Sequence, residues 1–245
     1  MLRLKSQIKM KKLSLLFIVM TNLFFAQMVT EKEDALLAEV PLNIWDEDYS
    51  DKSIKIDTLI YDEIPKSLDF RGVVVTALTW TDKQGENILI LSKSGEFAWK
   101  EYQEHDTTKF QLQDKSELYA YLFQKRKESD SYKKLWRIYD YTECFGVDMY
   151  VGFKPKATTV TDIDKNGIAE VTIPYVLFCR GGMDPGVMKI IAYQGDTKYA
   201  LRGETAICRE GKSLYGGDFK ADEKTQKNKT FYNFLKARWE AHKCE

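Results

Sequence analysis

The sequence predicts a mainly β domain of antiparallel meanders with two helices, one near the middle of the chain and one at its C-terminus: a β-rich α+β fold. Three observations predict it. Apolar, β-branched runs recur along the chain, short clusters of turn residues separate them, and a clear helical stripe appears in the last residues.

The elements follow in order. "DKSIKIDTLIYDE" (51–63) alternates apolar and polar residues through Ile54, Ile56 and Leu59, as a half-buried strand does. "VVVTALTWT" (Val73–Thr81) and "ENILILSK" (Glu86–Lys93) are strand-like runs joined by "DKQG", a hairpin with Gly85 in the turn. "SKSG" (92–95) reads as a further turn into "EFAWKEY". A helix is expected next. Asp114 can cap it, Glu117 completes a capping-box-like start, and Leu118, Tyr121 and Leu122 share a helical face. "KKLWRIYDY" and "VDMYVGF" return to strand composition. "EVTIPYVLFCR", "GVMKIIAYQ" and "TKYALRGETAIC" then form a second meander, separated by "GGMDPG" and "GD". In the closing "NKTFYNFLKARWEAHKC", Phe231, Phe234, Leu235 and Trp239 lie on one helical stripe, the pattern of a face docked on a sheet.

Organisation is read from the ends inward. "MKKLSLLFIVMTNLFFAQ", from Met10, has a lysine pair, an apolar run and a small residue before Gln27. That is the layout of a signal peptide over residues 1–26, leaving one β-rich domain over 27–245. A membrane anchor is the alternative, although the apolar run is short and interrupted. The acidic stretch Met28–Ser50 reads as an extended lead-in. A weak internal similarity links 73–93 with 157–178, where "WTDKQGENILIL" and "VTDIDKNGIAEVTI" both run strand, Thr-Asp, turn glycine, strand.

Lys plus Arg and Asp plus Glu number 37 each. That balance gives no electrostatic basis for binding nucleic acid or an anionic membrane. Cys144, Cys179, Cys208 and Cys244 all lie in the second half, and none forms a C-x-x-C pair. An even count in an exported chain predicts two disulfides, with three pairings open and four buried thiols as the alternative.

The residues richest in chemistry are in "VTDIDKNGIAEVTIPY" (160–175). Asp162, Asp164, Asn166, the Ile168 carbonyl and Glu170 stand at positions 1, 3, 5, 7 and 9, with Gly167 at the sixth. Calcium takes six to eight hard oxygen ligands, and a tightly curled loop can bring alternate oxygens to one centre. Position 12 is Ile173, so this is no EF-hand. The plainer alternative is an Asp/Asn-rich turn whose side chains bond only the local backbone. The pattern D-x-D-x-N-G-x-x-E resembles the calcium hairpins of FG-GAP-type repeats over nine residues, departing from them at Glu170, where they usually carry Asp. The wider run from Thr161 to Gly203 resembles an exported bacterial family of surface polysaccharide biosynthesis proteins. That resemblance implies a role in the envelope connected with surface glycan and names no catalytic residue.

Catalytic signatures are scarce. His105 and His242, the two histidines, stand beside no nucleophile motif and read as surface residues; G-x-S-x-G and H-E-x-x-H are absent. "WDEDYSD" (45–51) and Asp184 offer acids in loops, and a carboxylate pair acting on glycan needs no motif. The expectation is therefore an exported, periplasmic or secreted accessory protein. Its partners would be a surface glycan or an envelope protein, and calcium would be held structurally. A carboxylate-dependent glycan hydrolase is the alternative.

Overall fold

The computed structural model describes residues 43–244, so the expected signal segment lies outside the described residues. The first five strands form one antiparallel meander in chain order. They are β1 (Ile56–Thr58), β2 (Val73–Thr81), β3 (Gly85–Gln103), β4 (Asp106–Arg126) and β5 (Lys133–Cys144). The second sheet contains β6 (Asp148–Phe153), β7 (Thr159–Thr161), β8 (Glu170–Arg180), β9 (Val187–Gln194) and β10 (Thr197–Glu204), with β13 (Phe219–Ala221) at its edge. Its order is β13-β10-β9-β8-β6, and β7 also pairs with β8. A small hairpin, β11 (Ala206–Arg209) and β12 (Lys212–Gly216), precedes helices α1 (Glu223–Lys227) and α2 (Lys229–His242).

Inward-facing residues of both sheets share one core. Leu78, Leu89, Leu118 and Leu122 come from the first sheet, and Phe153, Val171, Ile173 and Ile191 from the second. Each sheet is covered again on its outer face. Ile64 and Leu68, from the segment before β2, close over Ile88, Ile90, Tyr119 and Tyr121. Helix α2 places Phe231, Leu235 and Trp239 on Met188, Ile190 and Leu201, with Phe234 partly buried beside them. Burying each of those helix side chains contributes about 1.5–3 kcal/mol. Asp222 caps α1 by accepting the Thr225 N–H, and Asn228 caps α2 by accepting that of Phe231.

The helix expected near the middle of the chain is absent, because residues 114–122 lie within strand β4. The misreading has a physical cause. Leu118, Ala120 and Leu122 face the core between the sheets, while Tyr119, Tyr121 and Phe123 face the outer cluster. With both faces buried, the period of two disappears into a continuous apolar run, and any such run contains residues at helical spacing. Both helices instead sit together at the C-terminal end. The turn expected at "SKSG" is also corrected. The chain runs on through it as β3, with a register shift between Lys93 and Glu96 and Gly95 at φ 73°.

All four cysteines are bridged. Cys144–Cys179 ties the end of β5 to the end of β8, joining the two sheets; Cys208–Cys244 ties β11 to the residues after α2. Loops of 35 and 36 residues are closed, each contributing about 2–4 kcal/mol by restricting the unfolded chain.

Candidate metal centre

The loop between β7 and β8 is built by its own acids. The strands pair up to Thr161 and Glu170, so eight residues must reverse the chain between them. Lys165 (φ 58°) and Gly167 (φ 82°) take the left-handed conformation that the reversal needs. Asp162 accepts the N–H groups of Asn166 (Oδ1, 3.0 Å) and Gly167 (Oδ2, 2.9 Å). Asp164 Oδ1 shares the Asn166 N–H at 3.2 Å, and Asn166 Oδ1 accepts the Ile168 N–H at 2.7 Å.

These bonds curl the loop until Asp162, Asp164 and Glu170 each place a carboxylate oxygen within 4.8 Å of the others. Asn166 stands beside them, donating its amide to Asp164 Oδ2 at 3.0 Å. Ile168 follows half-buried, with its N–H already bonded, and Lys165 is exposed.

Glu170 is the unusual member, with no solvent exposure at all. Its Oε2 accepts the Ile163 N–H at 2.7 Å and its Oε1 accepts Gln194 Nε2 at 2.5 Å. Burial pushes its carboxyl up to about 7; Asp164 and Asp162 push in the same direction, against the Ile163 and Gln194 donors. A buried carboxylate flanked by two others is costly unless a proton or a cation neutralises it. An ionised carboxylate offers about four lone-pair positions, so the N–H bonds leave room for a cation. The donor set is hard oxygen, which suits calcium, magnesium or manganese and not a soft metal. The acidic triad can therefore hold a metal ion.

Three contributors were not foreseen. Gln194, at the end of β9, stands opposite Glu170 and donates Nε2 to both Glu170 and Asp164. Asp82, from the β2–β3 turn, accepts the Ala169 N–H at 3.2 Å. Neighbouring Lys83 donates its backbone N–H to the Gly167 carbonyl oxygen (2.9 Å) and its Nζ to the Asn166 carbonyl. A Cβ on Gly167 would lie 2.7 Å from the Lys83 side chain. The repeated Thr-Asp-turn-Gly pattern was the one available signal, since the two similar turns dock on each other.

Other candidate residues serve the scaffold. Asp46, in the acidic lead-in, pairs with buried Arg238 at 2.8 Å, and Trp45 donates to Ser50. Asp184 lies in the loop after β8, where its carbonyl accepts from Arg180. His105 is exposed in the turn at the tip of the β3–β4 hairpin. His242 is not the surface residue expected. It is half-buried on α2, and burial, with Arg238 and Lys154 nearby, pushes it down to about 4.

Comparison of the chain with family models, curated proteins and solved structures found no match in any of the three. Among the described residues no helix is long and apolar enough to cross a membrane, which says nothing about spans made of strands.

Proposed function

We propose that the Asp162–Glu170 loop holds calcium as a structural ion, in an exported protein that acts as a binding or accessory component of the cell envelope. Its link there is to surface polysaccharide. The observation that carries the ion is the fully buried Glu170 carboxylate between Asp162 and Asp164. Calcium is preferred over magnesium because magnesium keeps several of its own waters, whereas this loop crowds protein oxygens together. The ion does no chemistry in this reading; it locks the β7–β8 turn and the β2–β3 turn docked on it. Two disulfides are consistent with an extracytoplasmic location, where external calcium also fills weak sites. The envelope and polysaccharide parts rest on the sequence resemblance and the signal-like N-terminus.

The test is the melting temperature of the protein lacking residues 1–26, in calcium and in chelator, beside Asp164→Ala. Calcium at a hundred times its dissociation constant should add about 2.7 kcal/mol, several degrees of melting, and Asp164→Ala should lose that shift. Equal melting in calcium and chelator would reduce the loop to a turn.

One observation favours the hydrolase reading. Near the Cys144–Cys179 end, Glu96, Asp114 and Asp148 line an open cleft of about 520 Å³ beside Tyr150 and Phe178. All three acids are exposed, however, and none sits in the apolar pocket that keeps a general acid protonated at neutral pH. Release of reducing ends from polysaccharide, lost in Asp148→Asn, would replace the binding reading with catalysis.

A further inference from the structure

Strands β3 and β4 run well beyond the part of the first sheet that is covered by the segment before β2. Their distal halves are exposed, and β5 continues alongside β4 as far as Asp114. On one face of this extension the side chains form a single row. Tyr119 stacks on Tyr139 (5.3 Å between centroids) and Tyr139 on Tyr141 (5.6 Å). Trp99 continues the row across the sheet, with Lys115 Nζ lying 4.2 Å from the Tyr141 ring centre and 4.4 Å from that of Trp99. Trp99, Tyr139 and Tyr141 are 43%, 40% and 44% exposed, so rings that hold this order remain open to solvent.

The polar groups of the row are fixed before any ligand arrives. Lys115, only 6% exposed, pairs with Glu143 at 3.0 Å and Glu117 at 3.5 Å. Glu117 also accepts the hydroxyls of Tyr119 and Tyr139. Burial, together with that carboxylate, pushes both phenols up to about 12, so they remain proton donors across the physiological range. The rings are thus held by hydrogen bonds and cation–π contacts already in place, and binding would order few side chains.

We propose that this face of the β3–β4–β5 extension binds a neutral oligosaccharide. The proposal rests on the reading of the chain as a binding protein and places the ligand away from the calcium loop. Exposed aromatic patches of this kind mark interaction sites, and the chemistry around this one selects the occupant. A sugar ring has an apolar C–H face that lies flat on an aromatic ring, and hydroxyls around its edge for carboxylates and ammonium groups. Charge points the same way. Lys115, Arg137 and Arg71, whose side chain reaches the Tyr119 hydroxyl, are matched by Glu117, Glu143 and Glu101, so these groups carry no net positive charge to attract an anionic polymer. A lipid surface is disfavoured because the central charges would have to enter it.

The experiment is native electrophoresis of the protein lacking residues 1–26 through gels containing neutral polysaccharides (mannan, dextran, galactan and xylan), with alginate as the anionic comparison. Retardation by at least one neutral polymer is expected. It should weaken at least tenfold in Trp99→Ala/Tyr141→Ala and stay unchanged in Tyr102→Ala, which alters the same ribbon away from the row. Melting temperatures of both variants within a degree or two of the parent, with the calcium shift intact, separate loss of binding from loss of fold and from failure of the calcium reading. No retardation by any neutral polymer, retardation by alginate alone, or equal retardation of the double variant overturns the proposal. So does a sedimenting dimer that the double variant dissociates, since the row would then be an interface between copies.

Discussion

The turns after Thr81 and Thr161 begin alike, with Thr-Asp and a glycine, and they touch, yet they are built to different standards. In the first, Asp82 alone organises the reversal. Its Oδ1 accepts the N–H groups of Gln84 (2.8 Å) and Gly85 (3.3 Å), and its second oxygen reaches across to Ala169. Gly85 (φ 144°) is obligatory there, since a Cβ would fall 2.2 Å from the Lys125 carbonyl oxygen. One aspartate and one glycine therefore make a complete hairpin turn. The second turn has the same two parts in Asp162 and Gly167, and then adds Asp164 and a buried Glu170. Those extra carboxylates are more than the turn requires, and the excess is what the ion reading explains.

The sharpest way to break this comparison is to neutralise Glu170 without changing its shape. In chelator near pH 8, Glu170→Gln should raise stability by about 1–3 kcal/mol, because a buried charge is removed; in calcium the same change should remove the ion's stabilisation. A substitution whose sign reverses with calcium cannot belong to a plain turn. Its pH dependence has the same origin. The folded carboxyl titrates near 7 and the unfolded one near 4.5, so the folded state retains a proton that the unfolded state has released. The resulting stability is fully present below pH 4.5 and is lost as pH rises through about 7, amounting to about 3 kcal/mol in chelator. Melting in chelator between pH 5 and pH 8 should show this decline in the parent and a much flatter profile in Glu170→Gln. Equal profiles would refute the assignment.

A smaller effect sharpens the contrast from the other turn. Asp82→Ala leaves three backbone N–H groups without their acceptor and should cost about 1–2 kcal/mol in calcium and chelator alike. Chemical denaturation in both buffers checks this; a loss confined to calcium would mean that Asp82 belongs to the ion site. The smallest effect is expected at the contact between the turns. Gly167→Ala forces a Cβ residue into the left-handed region and against the flexible Lys83 side chain, costing about 1 kcal/mol.

The same contrast between local and distant causes governs how legible the chain was. Strand β2 has the boundaries read from "VVVTALTWT", and α2 buries Phe231, Leu235 and Trp239 on the expected stripe. In α2 one face is apolar and the other is not, so the period survives in the sequence; β2 buries Leu78 on one face and Ala77 on the other, and its β-branched composition between turn residues marks it instead. In β4 both faces are covered, and the period vanished with them. Asp162, Asp164 and Glu170 were readable because they share one loop. Asp82 and Gln194 were not, lying 87 residues before and 24 residues after the residues they meet.

What the sequence by itself determined is therefore local: which segments are strands, where hairpin glycines permit reversal, which helical face is apolar, and which loop has oxygen ligands at alternate positions. Backbone sterics and side-chain periodicity act over a few residues, and they are written in order along the chain. Only the tertiary structure decided that residues 114–122 would be a strand, that Cys144 would meet Cys179 and Cys208 would meet Cys244, and that Glu170 would lose all contact with water. Each of those outcomes depends on which surfaces cover one another. Burial, and the charge energetics that follow from it, exists only once distant segments have closed over the same space.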